Sequence, residues 1–285
     1  KCVSDPLIMR RALEYVKTFN GIIAQHAQEP RLTVDAQMNE GSVSARIGLK
    51  GWPAIAEEAI IARDILLAEH VQSRLHICHV TTAGGVELIR WAKQRGIQVT
   101  AEVTPHHLLL TDELVENYDP IYKVNPPLRT EKDVWALREG LAEGVIDIVA
   151  TDHAPHPAED KDCEWQAAAF GMVGLETALS VVIKTMIESK LMGWKELVDR
   201  MSIKPAQIAG YKTQGQSIAL SSVANLILVD PVATWQVERS KLHSKSRNTP
   251  FHGMELPGLI SDVIYNGAQS MIASKVVKVA SGSNE

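Results

Sequence analysis

The sequence predicts an α/β fold in which parallel strands are joined by helical crossovers, followed by a smaller region rich in β-structure. Three observations carry this. Helical periodicity and short apolar runs alternate through the first half of the 285 residues. Those runs end repeatedly in His or Asp. From about Gln214 the alternation gives way to strand patterns alone. A hydrophobic content of 45% with 22% charged residues is ordinary for a globular chain and argues against disorder and collagen-like repeats. Apolar runs such as Ala59-Ile60-Ile61-Ala62 are too short to cross a bilayer. A net charge of -5, without a Lys/Arg stripe interleaved with aromatics, makes nucleic acid a poor partner. Cys2, Cys78 and Cys163 lie far apart with no C-x-x-C spacing, which points to reduced thiols and a cytoplasmic setting.

Taken in order, Asp5-Pro6 reads as an N-cap followed by proline at the first helical position, opening a helix to about Lys17. Gly21 to His26 reads as a strand. A turn-rich stretch then leads into a helix from Pro53 to about Glu69, with Ile55, Ala59, Ala62 and Leu66 as its apolar face. Arg74 to Val80 is the second strand. A helix from Ala83 to Arg95 is closed by Gly96, and Ile97 to Val103 is the third strand. A looser segment precedes a helix over Glu131–Leu141, and Ile146 to Asp152 is the fourth strand. Beyond it, Pro157 to Gln166 has the composition of a surface loop. Helices are expected over Val173–Glu188 and Trp194–Met201, with a short one after Lys204-Pro205. Strands are expected over Ala224–Asp230 and Asp262–Gly267. The domain boundary falls near Gly210, giving 1–210 and 211–285, and the tail Ser281–Glu285 is expected to fray.

Polar residues gather where the strands stop. His26 ends the first and His79 the second, His106-His107 follow the third, and Asp152 with His153 and His156 follows the fourth. In parallel α/β folds the carboxyl ends of the strands carry the active site. Imidazole nitrogens and a carboxylate are the ligands of a catalytic Zn²⁺ or similar ion, and a nearby carboxylate can move the proton of an activated water. His26 alone would read as a core histidine. Of His76 and His79, which alternation puts on opposite faces, the one nearer the strand end is favoured for the interior. His106 and His107 suit capping or orienting roles better than ligation. Glu57-Glu58 and Glu159-Asp160 read as solvated faces. The amides after Gly171 and Gly174 form a weak candidate anion site.

The motifs Thr104-Pro105-His106-His107-Leu108, Val124-Asn125-Pro126-Pro127-Leu128-Arg129, Ala150-Thr151-Asp152-His153-Ala154-Pro155-His156 and Gly174-Leu175-Glu176-Thr177 resemble the signatures of class I dihydroorotase. So do Leu75–Val80, Ile23–Ala27 and Asn248-Thr249-Pro250-Phe251, from Asp5 to about Gly267 in the right order. That family is a zinc-dependent branch of the amidohydrolase superfamily that interconverts N-carbamoyl-L-aspartate and L-dihydroorotate in pyrimidine biosynthesis. The resemblance implies that His26 and His79 ligate one of two zinc ions. Asp152 would ligate the other and serve as the catalytic proton carrier. Asn125, His156 and the backbone at Phe170-Gly171 would contact the small-molecule substrate, beside a mobile loop at Pro157 to Ala169. A homo-oligomer is implied, with aspartate transcarbamoylase as a further candidate partner.

The chain also departs from the family pattern. It contains no His-x-His, no arginine closely following one, no second early substrate asparagine and no Asp-Asp-Gly. By this register its four strands are the fifth to eighth of a (β/α)8 TIM barrel. The expectation is therefore a C-terminal half-barrel plus part of a small β-domain, opening at Lys1 without a methionine and inactive by itself, its zinc sites incomplete. Two rival readings are a related cyclic-amide hydrolase (allantoinase or dihydropyrimidinase) and a non-catalytic subunit supporting aspartate transcarbamoylase.

Overall fold

The computed structural model describes residues 2–277. Asp5 starts α1 (Pro6–Lys17) by accepting hydrogen bonds from the amides of Leu7 and Ile8 at 2.8 and 2.9 Å. Pro6 stands where its missing N–H costs nothing. β1 (Ile22–Gln25) follows. The turn-rich stretch then folds as β2 (Met38–Asn39), α2 (Ser42–Ile47) and β3 (Gly51–Trp52), whose strands pair parallel. Next come α3 (Ile55–Val71), β4 (Arg74–Ile77), α4 (Ala83–Gln94), β5 (Val99–Val103), α5 (Glu131–Glu143) and β6 (Ile148–Val149).

The strands β1, β4, β5 and β6 form one parallel sheet in that order. One face meets the helices. Met9 and Leu13 of α1, Ile61 and Ile65 of α3, Ile89 of α4 and Leu137 of α5 pack with Leu75, Ile77, Ala101 and Val103 of the strands. Each such buried side chain contributes roughly 1.5–3 kcal/mol. Because parallel partners project to the same side, Ala24, His76 and Thr100, which are in register, line the opposite face.

Several elements differ from the sequence reading. The strands are shorter at their carboxyl ends because the backbone turns there: His79 and Asp152 have φ of 34° and 43°, which no extended strand accommodates. The apolar face expected on α3 is the wrong one. Ile55 and Leu66 are 53% and 55% exposed, and the buried face is Ala56, Glu57, Ile60, Ile61, Asp64, Ile65 and Ala68. A helix apolar on most sides gives no clear stripe, so periodicity alone chooses poorly. Glu57 is not a solvated residue: it is 2% exposed, and its carboxylate accepts from the amides of Thr81 and Thr82 and faces Arg129 at 4.0 Å.

The segment after Asp152 is not a plain surface loop. α6 (Ala158–Lys161) lies in it, and Lys161 and Trp165 are both buried. The helix expected over Val173–Glu188 starts later, as α7 (Ala178–Val182), and continues as a π-helical turn over Ile183–Ile187. α8 (Trp194–Val198) runs through a second such turn, Asp199–Ile203, into α9 (Lys204–Ala209), which Gly210 ends in the left-handed region at φ 76°.

β7 (Leu226–Gln236), β8 (Glu255–Tyr265), β9 (Ala268–Ile272) and β10 (Lys275–Val276) form an antiparallel sheet. The first two are 11 residues each, longer than expected, with β-bulges where their register shifts. Val237, Phe251 and Leu256 pack with Met172 and Val181 and tie this sheet to the helical side. The tail Ser281–Glu285 lies outside the described residues.

Candidate active site

The strand ends bring two imidazoles face to face. His26 follows β1 and His79 follows β4, and His26 Nδ1 lies 2.9 Å from His79 Nε2. The second ring nitrogen of His26 is 2.9 Å from Gln28 Oε1, and Gln28 Nε2 donates to Thr33 Oγ1 at 2.7 Å. This orientation of Gln28 assigns the tautomers. His26 donates through Nε2, so its Nδ1 accepts from His79 Nε2–H, and His79 Nδ1 is left as a lone pair. That atom is buried without a hydrogen-bond partner. Burial, with His26 beside it, pulls His79 down to about 4, so it is a neutral imidazole at pH 7. A metal ion requires imidazole lone pairs: His79 Nδ1 offers one directly, and His26 Nδ1 offers a second once its hydrogen bond to His79 is given up, so the donor set of the two residues fits one. His79 reaches this place through its positive φ of 34°, a conformation that costs a non-glycine residue on the order of 1–2 kcal/mol.

Below this pair, on the sheet face away from the helices, runs a second polar row. His76 bonds Thr100 Oγ1 through Nδ1 at 2.8 Å and Glu102 Oε2 through Nε2 at 2.9 Å. Both candidate histidines of the second strand therefore reach the same side, His76 along the strand and His79 beyond its end. His76, Cys78 and Glu102 have donor atoms within 4.8 Å of one another, and among the described residues they are the group of three able to hold a metal. Burial pushes the Cys78 thiol up to about 12, with Glu102 and Asp152 adding to the effect.

Asp152 follows β6, exposed, with φ 43°. It does not close with His26 and His79 into a group as tight as that triad. Although its side chain reaches solvent, desolvation by the surrounding strand ends raises its pKa, His26 lowers it and Glu102 raises it again. The next side chain turns the other way: His153 Nδ1 accepts from the amides of Gly174 and Leu175 at 3.1 and 3.3 Å. Those amides are thus occupied, which overturns the expected anion site there.

His156 Nε2 lies 3.0 Å from the carbonyl of Phe170. Gly171 has φ 145°, and a Cβ on it would stand 2.7 Å from both Ala154 Cβ and His156 Nε2, so only glycine fits. Its N–H donates to Lys123 O at 2.9 Å, which ties the Phe170-Gly171 turn to the segment carrying Asn125. The Asn125 side chain donates to Gln28 at 3.5 Å, and its Oδ1 is buried and unpartnered. His26, Gln28 and Asn125 are therefore one cluster, and His156, Phe170 and Gly171 a second one joined to it through Lys123.

His106 and His107 are sealed inside. His107 bonds Thr104 Oγ1 at 2.7 Å and Pro126 O at 3.1 Å, so it braces the loop that presents Asn125. Burial pulls His106 down to about 3 and His107 well below its usual range.

Sequence reasoning missed four supporting residues. Arg129 is 1% exposed and bonds Thr81 Oγ1, Asn39 Oδ1 and Trp52 O at 3.1, 2.9 and 2.7 Å, fastening the turn after His79 to the Asn125 loop. Glu57 is its counter-ion. Lys123 donates from its buried ammonium to the carbonyls of Trp165 and Gln166 at 2.7 and 3.2 Å. Asn248 donates to Ala154 O and Gly171 O at 2.9 and 3.3 Å. Arg129 and Asn248 lie within motifs visible in the sequence, but nothing there separates support from substrate contact.

The family described as the amidohydrolase family matches residues 9–269. The chain is 65% identical over 276 residues to a dihydroorotase from Streptomyces coelicolor, covering 97% of this chain and 64% of that protein. It is 53% identical over 266 residues to a dihydroorotase from Mycobacterium tuberculosis, covering 93% of this chain and 62% of that one. The chain thus spans less than two thirds of the length of these relatives. An L-hydantoinase (dihydropyrimidinase) from Arthrobacter aurescens superposes with a TM-score of 0.87 at 27% identity, over 96% of this chain and 62% of that one. A dihydropyrimidinase from Brevibacillus agri does so at 0.84 and 22% identity, over 96% and 61%, a likeness of fold. Among the described residues no helix is long and apolar enough to cross a membrane.

Proposed function

The chain belongs to the amidohydrolase family, and on that premise we propose that it carries the strand-end chemistry of a dihydroorotase, interconverting N-carbamoyl-L-aspartate and L-dihydroorotate. The observation that carries the reading is the pair His26 Nδ1 and His79 Nε2, facing each other at 2.9 Å from the ends of neighbouring parallel strands. The 65% identity to the Streptomyces coelicolor dihydroorotase favours this ring over that of the hydantoinase, whose identity is 27%. In this reading β1, β4, β5 and β6 are strands five to eight of a (β/α)8 barrel. Residues 1–210 belong to that barrel, and the chain from residue 211 to the small β-domain. A cytoplasmic homo-oligomer, with aspartate transcarbamoylase as a candidate partner, goes with it.

His26 and His79 would hold one zinc ion, and Asp152 a second. When bound, the metals supply Lewis acidity to the amide carbonyl and lower the pKa of the attacking water. The chain's own residues do the rest. Asp152 takes the water's proton as the carbonyl is attacked and returns it to the ring nitrogen as the C–N bond breaks. The same carboxyl, raised by burial, serves as base and then as acid. Asn125 offers an unpartnered amide oxygen to a substrate N–H. His156 orients the Phe170-Gly171 turn through its bond to Phe170 O. Since Gly171 N–H is taken by Lys123 O, the Phe170 N–H is the donor left for a substrate carboxylate or carbonyl.

Assay of the protein encoded by the source gene against dihydroorotate, dihydrouracil and allantoin, with zinc measured by ICP-MS, tests the reading. Dihydroorotate is expected to be preferred by at least about 100-fold. Preference for either other ring would overturn the substrate. Full zinc without turnover of any ring would favour a non-catalytic subunit. The 285-residue chain by itself is expected to show no turnover, because its sequence holds no His-x-His.

A further inference from the structure

Behind His156 the segment 157–162 and the segment 239–247 enclose a cleft of about 120 Å³. Lys161, Arg239, Lys245 and Arg247 line it, with His156 on its inner wall and Asp162 as the one carboxylate. None of the four cations has a carboxylate within 4.0 Å among the described residues, although the chain's net charge is -5.

Lys161 is the telling member. It is 5% exposed, yet its ammonium donates only to neutral carbonyls, Lys123 O at 3.2 Å and Ala169 O at 2.9 Å. A buried cation is ordinarily compensated by an anion. Here burial and the neighbouring Lys123 ammonium pull Lys161 down to about 8, outweighing the opposing effect of Asp119. Two of its three possible hydrogen bonds are made, and its side chain lines the cleft.

The Asn248 side chain, not the charges, holds the walls together. Asn248 Oδ1 accepts from His156 N at 3.4 Å, while its Nδ2 donates to Ala154 O and Gly171 O. The Asn-Thr-Pro-Phe motif thus pins the cationic 239–247 segment against the His156 wall. Repelling cations concentrated in a fixed concavity form a field that focuses anions. Arginine forks match tetrahedral oxyanions bidentately.

We propose that this cleft is a binding subsite for a phosphate-sized dianion, either free phosphate or the phosphoryl group of a larger metabolite. The assignment stands independently of which ring the neighbouring strand ends turn over. His156, which lines the cleft, is the residue that the proposed function has orient the Phe170-Gly171 turn.

Isothermal titration of the chain with inorganic phosphate at low ionic strength tests it, in parallel with Lys245→Ala/Arg247→Ala, whose residues are exposed and whose loss leaves the fold intact by circular dichroism. Saturable one-site binding is expected, weakened at least tenfold in the double variant and also weakened by added KCl. Absence of saturable binding, or equal binding by the variant, overturns the site. Succinate binding as tightly as phosphate overturns its phosphoryl character. Within the proposal, glycerol 3-phosphate binding at least as tightly as phosphate assigns the phosphoryl group of a metabolite, and weaker binding assigns the free ion.

Discussion

His26 and His79 come from different strands and meet ring to ring at 2.9 Å, whereas His106 and His107 are neighbours in sequence with ring centroids 4.5 Å apart. Both pairs sit at strand ends, and burial holds His79, His106 and His107 neutral at pH 7. Their difference lies in what the nitrogens face. The first pair shares one proton between two facing nitrogens and leaves His79 Nδ1 bare. In the second, His107 spends both nitrogens on Thr104 and Pro126, and His106 Nε2, also without a partner, is sealed in the core at 1% exposure. Capacity to ligate needs ring nitrogens from different strands that converge on one point, not adjacency in the chain.

The widest separation between the pairs is expected in catalysis. In the zinc-loaded protein encoded by the source gene, His79→Ala should lose zinc by ICP-MS and turnover together, and Asp152→Asn should lower kcat by about 10²–10⁴-fold. His107→Ala should keep its zinc. Loss of zinc from His107→Ala with retention in His79→Ala would reverse the roles assigned here.

Next in size is the support that both pairs share. Arg129→Met leaves Glu57 buried without its counter-ion and should cost about 3–5 kcal/mol in urea unfolding; an unchanged midpoint would show the pair to be dispensable. His107→Ala removes a partner from two buried groups, and about 1–3 kcal/mol is expected from the same measurement.

The sealed pair also carries a pH signature. His106 lies at about 3 and His107 well below 6.5 in the folded chain, while both return to about 6.5 on unfolding. Between those values the unfolded chain binds protons that the folded chain refuses. Stability is therefore full above pH 6.5 and falls as the pH drops toward 3, by up to about 1.4 kcal/mol per pH unit for each histidine. Urea midpoints between pH 7 and 4 check this, and His106→Gln should flatten the slope. The smallest effect concerns α3: Leu66→Gln, on its exposed face, should change stability by no more than about 0.5 kcal/mol. A cost of several kcal/mol would place that face in an interface.

Much of this could be read from residues. The N-cap at Asp5, the order of helices and parallel strands, and the gathering of His26, His79 and Asp152 at strand ends follow from local chemistry: capping, period and the position of polar groups after apolar runs. Other features could not. The buried role of Glu57 depends on Arg129, 72 residues away in the chain, and on the Thr81 and Thr82 amides. The face of α3 is chosen by what packs on it, since its sequence is apolar on most sides. The segment after Asp152 looked polar, yet Lys161 is buried with its ammonium on the carbonyls of Lys123 and Ala169, and Trp165 is buried with the Lys123 ammonium over its ring.

By itself the sequence determined the kind of elements, their order and the residue types available at each strand end, because these depend on neighbours a few positions apart. Only the tertiary structure decided which lone pairs are free, which amides are spent and where unpaired cations converge. Those depend on distances between residues that the chain separates by 53 positions, as for His26 and His79, or by 92, as for His156 and Asn248.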